Sequence, residues 1–437
     1  MLYIYVGGAV SERFRYASAL IFDYILHIPY EILSDLPEDL QGTVCINYTG
    51  RRIKGMLNIP KTVFLEREDC EAISYAVGFA PDLLLFYDQN WGDAFLSFDI
   101  FSATFYIATE YYYYQASSFD SHGRYREDLH LLFTHGLQEL PLIHMYCELL
   151  WDKLQKHLPK GYRKAQKLAG EITFDIDNPW KYHHKGLGIS LGGGLKQMFK
   201  GDWGGFGERL AVVFGKKDPH DVFEDLFRLC SPDCTTFFFL IERKSVHDGR
   251  FTYRNRHLRA LIREIHARGY SVGIHPSYTA AFNPAQLKRE VEALSDIIGE
   301  QVTRSRQHFL RYRYPTTFRS LLASGIQSDY SLCSYSKLGY RTGLAVPYPW
   351  FDVLRNCTTD LMLHPTMVMD RTLHSYMDLS AEEAEKRVYA FMEQSKRLGL
   401  PFRILFHNDG FSESGEWRGW RSSLEKMLSH FRILQEE

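Results

Sequence analysis

Apolar and polar positions alternate in two different rhythms along this chain of 437 residues. In the first third the apolar runs are short and isolated. Val44-Cys-Ile-Asn-Tyr48 and Leu83-Leu-Leu-Phe-Tyr87 have strand length and turn residues on either side. The apolar and aromatic stretch from Phe98 to Tyr114 predicts a buried helix, and the polar turn Asp120-Ser-His122-Gly-Arg124 follows it. Leu142, Met145, Leu149, Leu150 and Leu154 recur at helical spacing within 140–158. Pro159-Lys-Gly161 then breaks the pattern, which predicts a domain boundary there. Residues 1–160 read as a smaller mixed α/β domain and 161–437 as a second one.

From Ala165 onward strands and helices take turns. Thr236-Phe-Phe-Phe-Leu-Ile241 is continuously apolar, as expected of a parallel strand covered on both faces. Asn255 to Arg268 predicts a helix with Leu258, Leu261, Ile262 and Ile265 inward, closed by Gly269. Tyr270 to Ile274 is the next strand and delivers His275-Pro276 at its carboxyl end. Asn283-Pro284 opens a helix through Ile298, with Pro in the first turn. Ser380-Ala-Glu-Glu383 is a capping box for a helix closing at Gly399, and the strand from Pro401 to Phe406 leads into His407-Asn408-Asp409. Repeated βα units with polar residues at strand ends predict a barrel-like α/β domain.

The chemistry begins at Ile172-Thr-Phe-Asp175-Ile-Asp177. On a strand, i and i+2 share a face, so both carboxylates point one way while Phe174 and Ile176 point the other. Asn178-Pro179 stops the strand and leaves the acids at its carboxyl end, where α/β folds build their sites. Two acids side by side call for a cation or an Arg between them. Asp175/Asp177, His275 and His407 end three separate strands. Together they supply metal ligands, a carboxylate base and an imidazole acid, the parts of a mononuclear hydrolytic centre.

Composition narrows the partners. A net charge of −2 gives no steering toward nucleic acid or an anionic membrane. The N-terminus lacks a basic leader segment, and no apolar run reaches membrane-span length, so a cytoplasmic location is expected. Seven scattered cysteines without a CxxC pair agree with reduced thiols. Aromatic residues, 15% of the chain, suit either cores or sugar stacking. Trp180, Trp350, Trp417 and Trp420 near loop or strand ends are candidates for both roles. His183-His184 read as loop histidines. The glycine-rich segment from Gly186 to Gly194 lacks phosphate-loop spacing and reads as a loop over the site.

Residues 168–437 resemble the polysaccharide deacetylases, a family with a distorted (β/α) barrel. Thr173-Phe174-Asp175-Ile176-Asp177 is similar to the family's acid motif, with one residue between the acids. Gly273-Ile274-His275-Pro276-Ser277-Tyr278-Thr279 is similar to its histidine motif, with Thr279 where the second His belongs. Arg306-Gln307-His308-Phe309-Leu310 occupies the arginine motif without its Pro and Gly, and Leu405-Phe406-His407 matches the terminal one. The resemblance implies a metal-dependent hydrolase that removes N-acetyl or similar acyl groups from a sugar or polysaccharide precursor. It implies Asp177 and His275 as metal ligands, Asp175 as base, Arg306 as its holder and His407 as the acid for the leaving amine. His308 stays open between third ligand and substrate contact. Zn²⁺ suits the donors best, with Mn²⁺, Fe²⁺, Co²⁺ and Ni²⁺ as alternatives. The competing reading is an inactive barrel that binds glycan or protein, which the loss of the second His permits. The segments 97–105 and 119–125 resemble a domain that precedes such modules in some bacterial proteins and has no known role. Oligomeric state is not readable.

Overall fold

The computed structural model describes residues 1–36, 42–79, 83–163, 170–185, 192–194 and 197–436. Contacts divide the chain into two units, Met1–Lys167 with Tyr340–Pro365, and Leu168–Gly339 with Thr366–Glu437. Residues 340–365, expected in the second domain, therefore pack with the first.

The first unit carries β1 (Leu2–Tyr5), β2 (Tyr30–Leu33), β3 (Val44–Asn47) and β4 (Leu57–Asn58), all parallel in the order β2-β1-β3-β4. Two antiparallel hairpins accompany them, β5 (Val77–Phe79) with β6 (Leu83–Leu85) and β12 (Tyr348–Asp352) with β13 (Cys357–Leu363). The helix Ile100–Ala108 is buried along its whole length and capped by Asp99, which accepts from the Ser102 N–H at 3.0 Å. The long helix expected to Tyr114 stops short because Glu110 adopts a left-handed conformation (φ 46°), after which Tyr111–Gln115 winds as a 3₁₀ turn. Glu110 is buried between the Arg341 guanidinium at 2.9 Å and the His130 ring at 3.0 Å. The Tyr348 hydroxyl donates to the Ala108 carbonyl at 3.1 Å. These buried bonds tie the returning segment 340–365 to this unit, and no local pattern in the sequence marks such a return.

The second unit contains β7 (Glu171–Ile176), β8 (Thr235–Phe239), β9 (Ser271–Ile274), β10 (Arg304–Ser305), β11 (Ser328–Asp329), β14 (Val368–Met369) and β15 (Arg403–His407). Every pairing among them is parallel, in the order β11-β10-β9-β8-β7-β15-β14. Helices Arg256–Ala267, Pro284–Ile298, Thr316–Ala323 and Ala381–Arg397 connect successive strands, as the alternating pattern predicts. Their ends are set locally. Asn255 and Asn283 cap two of them, Ser380 and Glu383 form the capping box, and Gly269 and Gly299 take left-handed φ where a side chain would be strained. No ladder joins β11 to β14 among the described residues, so closure into a barrel is not seen. One isolated parallel bridge, Cys333 to Thr366, lies between them.

Side chains from β7, β8 and β15 sort by face. Phe174, Phe237 and Phe406 pack on one side, with the first two rings stacked 5.0 Å apart. Asp175 and Phe238 share a ladder position and so project to the other side. Because the strands run parallel, their carboxyl ends gather at one edge of the sheet, and the polar strand-end residues gather with them.

No helix of the described residues is long and apolar enough to cross a membrane, and all seven cysteines are free thiols. The four tryptophans are buried, none more than 6% exposed, so they fill cores and form no open sugar platform. The expected covering loop lies largely outside the described residues.

Candidate metal centre

At the carboxyl edge of the second sheet, Asp177, His275 and His308 present ligand atoms that all lie within 4.8 Å of one another. Asp177 Oδ1 is 3.4 Å from His275 Nε2 and 3.6 Å from His308 Nε2. Donors about 2.1 Å from a tetrahedral ion stand about 3.4 Å from each other, so these separations suit a small divalent cation. The same oxygen is buried and has no hydrogen-bond partner. A buried carboxylate oxygen without a donor is costly unless a cation meets it. The residues therefore fit a metal.

His275 is aimed by a hydrogen bond on its far side, and His308 faces a carboxylate there. His275 Nδ1 lies 2.7 Å from the Arg306 carbonyl. A carbonyl only accepts, so Nδ1 carries the proton and Nε2 keeps its lone pair toward Asp177. His308 Nδ1 lies 3.3 Å from Asp248 Oδ1. Burial opposes charge on His308, yet the carboxylates of Asp177 and Asp248 outweigh it and lift its pKa to about 9. Asp177 is held well below the ordinary carboxylate range: burial works against this, and the two imidazoles prevail. This pocket attracts positive charge. Phe309 and Leu310, directly after His308, both have left-handed backbone (φ 59° and 53°), a strain of about 1–3 kcal/mol each.

Arg306 and Asp175 are buried beside this triad. Arg306 Nη1 donates to Asp175 Oδ1 at 3.0 Å and to Thr173 Oγ1 at 2.9 Å, Nε to the Tyr330 carbonyl at 3.1 Å and Nη2 to Thr366 Oγ1 at 3.2 Å. Its guanidinium lies over Phe238, 4.8 Å from the ring centre. Gly273 makes room for that ring, because a Cβ there would stand 2.5 Å from Phe238 Cδ1. Asp175 Oδ2 is left facing the triad, 3.7 Å from His275 Nε2.

His407 is the Cα partner of Asp175 on the neighbouring strand. Its Nδ1 lies 2.7 Å from Asp370 Oδ1, and its backbone N–H donates to Asp370 Oδ2 at 2.6 Å. Burial pulls the His407 pKa down, but Asp370, with smaller help from Asp177 and Asp175, raises it to about 9. The imidazolium is thus the neutral-pH form.

All six residues expected to form the site, Asp175, Asp177, His275, Arg306, His308 and His407, come from the carboxyl ends of β7, β9, β10 and β15. Thr279 lies elsewhere: it is exposed, and its hydroxyl donates to Gln286 Oε1 at 3.0 Å. Sequence reasoning missed Asp248 and Asp370. Asp370 follows a strand of only two residues, too short to show a period, and Asp248 lies in a polar turn. Beside His308, the rings of His247, Tyr278 and Phe309 form an aromatic cluster, with His247 4.4 Å from Tyr278 and 5.4 Å from Phe309.

A family model described as "Family of unknown function (DUF7033)" matches residues 2–159. No curated protein matches the chain. Among solved structures, a Mycobacterium smegmatis protein described as a polysaccharide deacetylase is 14% identical, with 62% of this chain and 85% of that one covered and a TM-score of 0.38. A Pseudomonas aeruginosa protein of the same description is 13% identical over 62% and 89%, with a TM-score of 0.36. A family 4 carbohydrate esterase from Streptomyces lividans is 11% identical over 62% and 88%, with a TM-score of 0.30. These likenesses are loose, and the chemistry of this chain rests on its own residues.

Proposed function

We propose that the second unit is a metal-dependent hydrolase that removes an N-acetyl or similar acyl group from a sugar or polysaccharide precursor. The observation that carries this is the triad of Asp177, His275 and His308, flanked by a base held by Arg306 and an acid held by Asp370. The order of the motifs along the sequence supports the same reading.

Asp177, His275 and His308 would hold the ion. Two imidazoles and a carboxylate suit Zn²⁺. When bound, the metal supplies Lewis acidity toward the amide carbonyl and the attacking water. Asp175 takes the proton of that water, and Arg306 holds it in place. His407 gives a proton to the departing nitrogen. A C–O bond forms, the C–N bond breaks, and amine and carboxylic acid leave. The free thiols agree with a reducing compartment and so with a cytoplasmic precursor as substrate. The first unit has no assigned role in this chemistry.

Elemental analysis of chelator-free protein beside His275→Ala tests the reading. About one divalent ion per chain, lost in the variant, is expected. N-acetylated glycans and non-sugar amides are then compared as substrates. No metal in either protein, even with added Zn²⁺ or Co²⁺, would instead favour a silent binding barrel.

A further inference from the structure

His308 reaches the centre from the loop after β10, whereas the resembled motif would place its second His at position 279. A ligand delivered by a different loop needs a support of its own. We propose that Asp248 is the positioning residue that makes His308 a metal ligand, so that an Asp248–His308 pair replaces the histidine missing at 279. This rests on the metal site of the proposed function.

Asp248 is buried, and among the described residues its ionic partner is His308. Backbone donors occupy the rest of its carboxylate. Oδ2 accepts from the N–H groups of Lys244 at 2.9 Å and Ser245 at 2.6 Å, and Oδ1 from that of Tyr278 at 2.7 Å. Held this firmly, the carboxylate faces His308 Nδ1 with Oδ1 at 3.3 Å, an ion-pair contact outside hydrogen-bond geometry that a small turn of the ring on metal binding would close. With a proton on Nδ1 the ring turns its Nε2 lone pair to Asp177, and the carboxylate makes that nitrogen a better donor.

The surrounding chain carries the same arrangement. Tyr278 belongs to the loop of Thr279, so the bond to Asp248 fixes that loop while Thr279 is exposed. Gly249, next to Asp248, leaves no room for a side chain because a Cβ would run into the Asp177 carbonyl. The turn bearing Asp248 thus rests on the strand end that bears Asp177. One residue couples the loops after β8, β9 and β10.

The test is Zn²⁺ affinity of the full chain, by competition with a chromogenic chelator, for wild type, Asp248→Asn, His308→Ala and the double variant. Asp248→Asn should weaken binding ~10–100-fold. The double variant should bind no more weakly than His308→Ala, since Asp248 acts through His308. Unchanged affinity in Asp248→Asn, or losses that simply add, would overturn the proposal. If Asp248→Asn does not fold, proton NMR of the Co²⁺-loaded wild type decides. A solvent-shielded, hyperfine-shifted ring N–H that vanishes in His308→Ala is expected, and its absence overturns the assignment. Wild type that binds Zn²⁺ but cleaves no amide ends the hydrolase reading, while the affinity ratios still decide the role of Asp248. Wild type that binds no Zn²⁺ overturns both.

Discussion

Asp175 and His407 stand opposite each other as Cα partners across the β7–β15 ladder, each fixed by its own counter-charge, Arg306 and Asp370. In the proposed reaction they are the base and the acid that serve the two sides of one scissile bond. Each proton transfer is worth ~10²–10⁴ in rate. Asp175→Asn and His407→Gln should each lower kcat by that order while metal content stays near wild type. Turnover on the best N-acetylated substrate, beside elemental analysis of both variants, checks this. Full metal with undiminished turnover in either variant would remove that residue from the mechanism.

The pH dependence follows from His407. Its pKa stands at about 9, above the ordinary imidazole value, because Asp370 outweighs the effect of burial. The acid form persists through neutral pH, so kcat/KM should fall on the alkaline side as that proton is lost. Asp370→Asn should move this limb toward lower pH. The stability that the pair contributes is fully present below about 6.5 and disappears as pH rises through about 9. The gap in unfolding free energy between wild type and Asp370→Asn should therefore narrow over that window in urea titrations.

Arg306, the holder of the base in the proposed reaction, should also matter for stability. Removing one member of a buried ion pair costs about 3–5 kcal/mol, because the other charge is left without a partner. Arg306→Ala should destabilise by about that amount in chemical denaturation, and Arg306→Lys should rescue little, since a point charge cannot make four divergent bonds. Adding Asp175→Ala should recover part of the loss. A double variant less stable than Arg306→Ala would contradict the unpaired-charge explanation.

Gly249 gives a variant that touches no ligand. A methyl there would displace the Asp177 carbonyl, and with it the carboxylate. Gly249→Ala should weaken Zn²⁺ binding and cost about 1–3 kcal/mol from overpacking. Chelator competition and thermal unfolding of the metal-free protein separate the two effects. Unaltered affinity would mean that the strand end tolerates the shift.

Much of the second unit is written in local sequence. The i, i+2 acids, the apolar run of β8, the asparagine caps and the capping box each act within a few residues, so periodicity and turn chemistry suffice to read them. Parallel strands bring their carboxyl ends to one edge, and so Asp175, Asp177, His275 and His407 could be grouped from the strand pattern, whereas Arg306 and His308 joined them only through the family resemblance. Other features depend on which loops meet in space. Only the tertiary structure sets His308 against Asp177, supplies Asp248 and Asp370 behind the two histidines, exposes Thr279, buries the four tryptophans and returns residues 340–365 to the first unit. Those relationships join positions up to hundreds of residues apart, and a local pattern of apolar and polar residues carries no record of them.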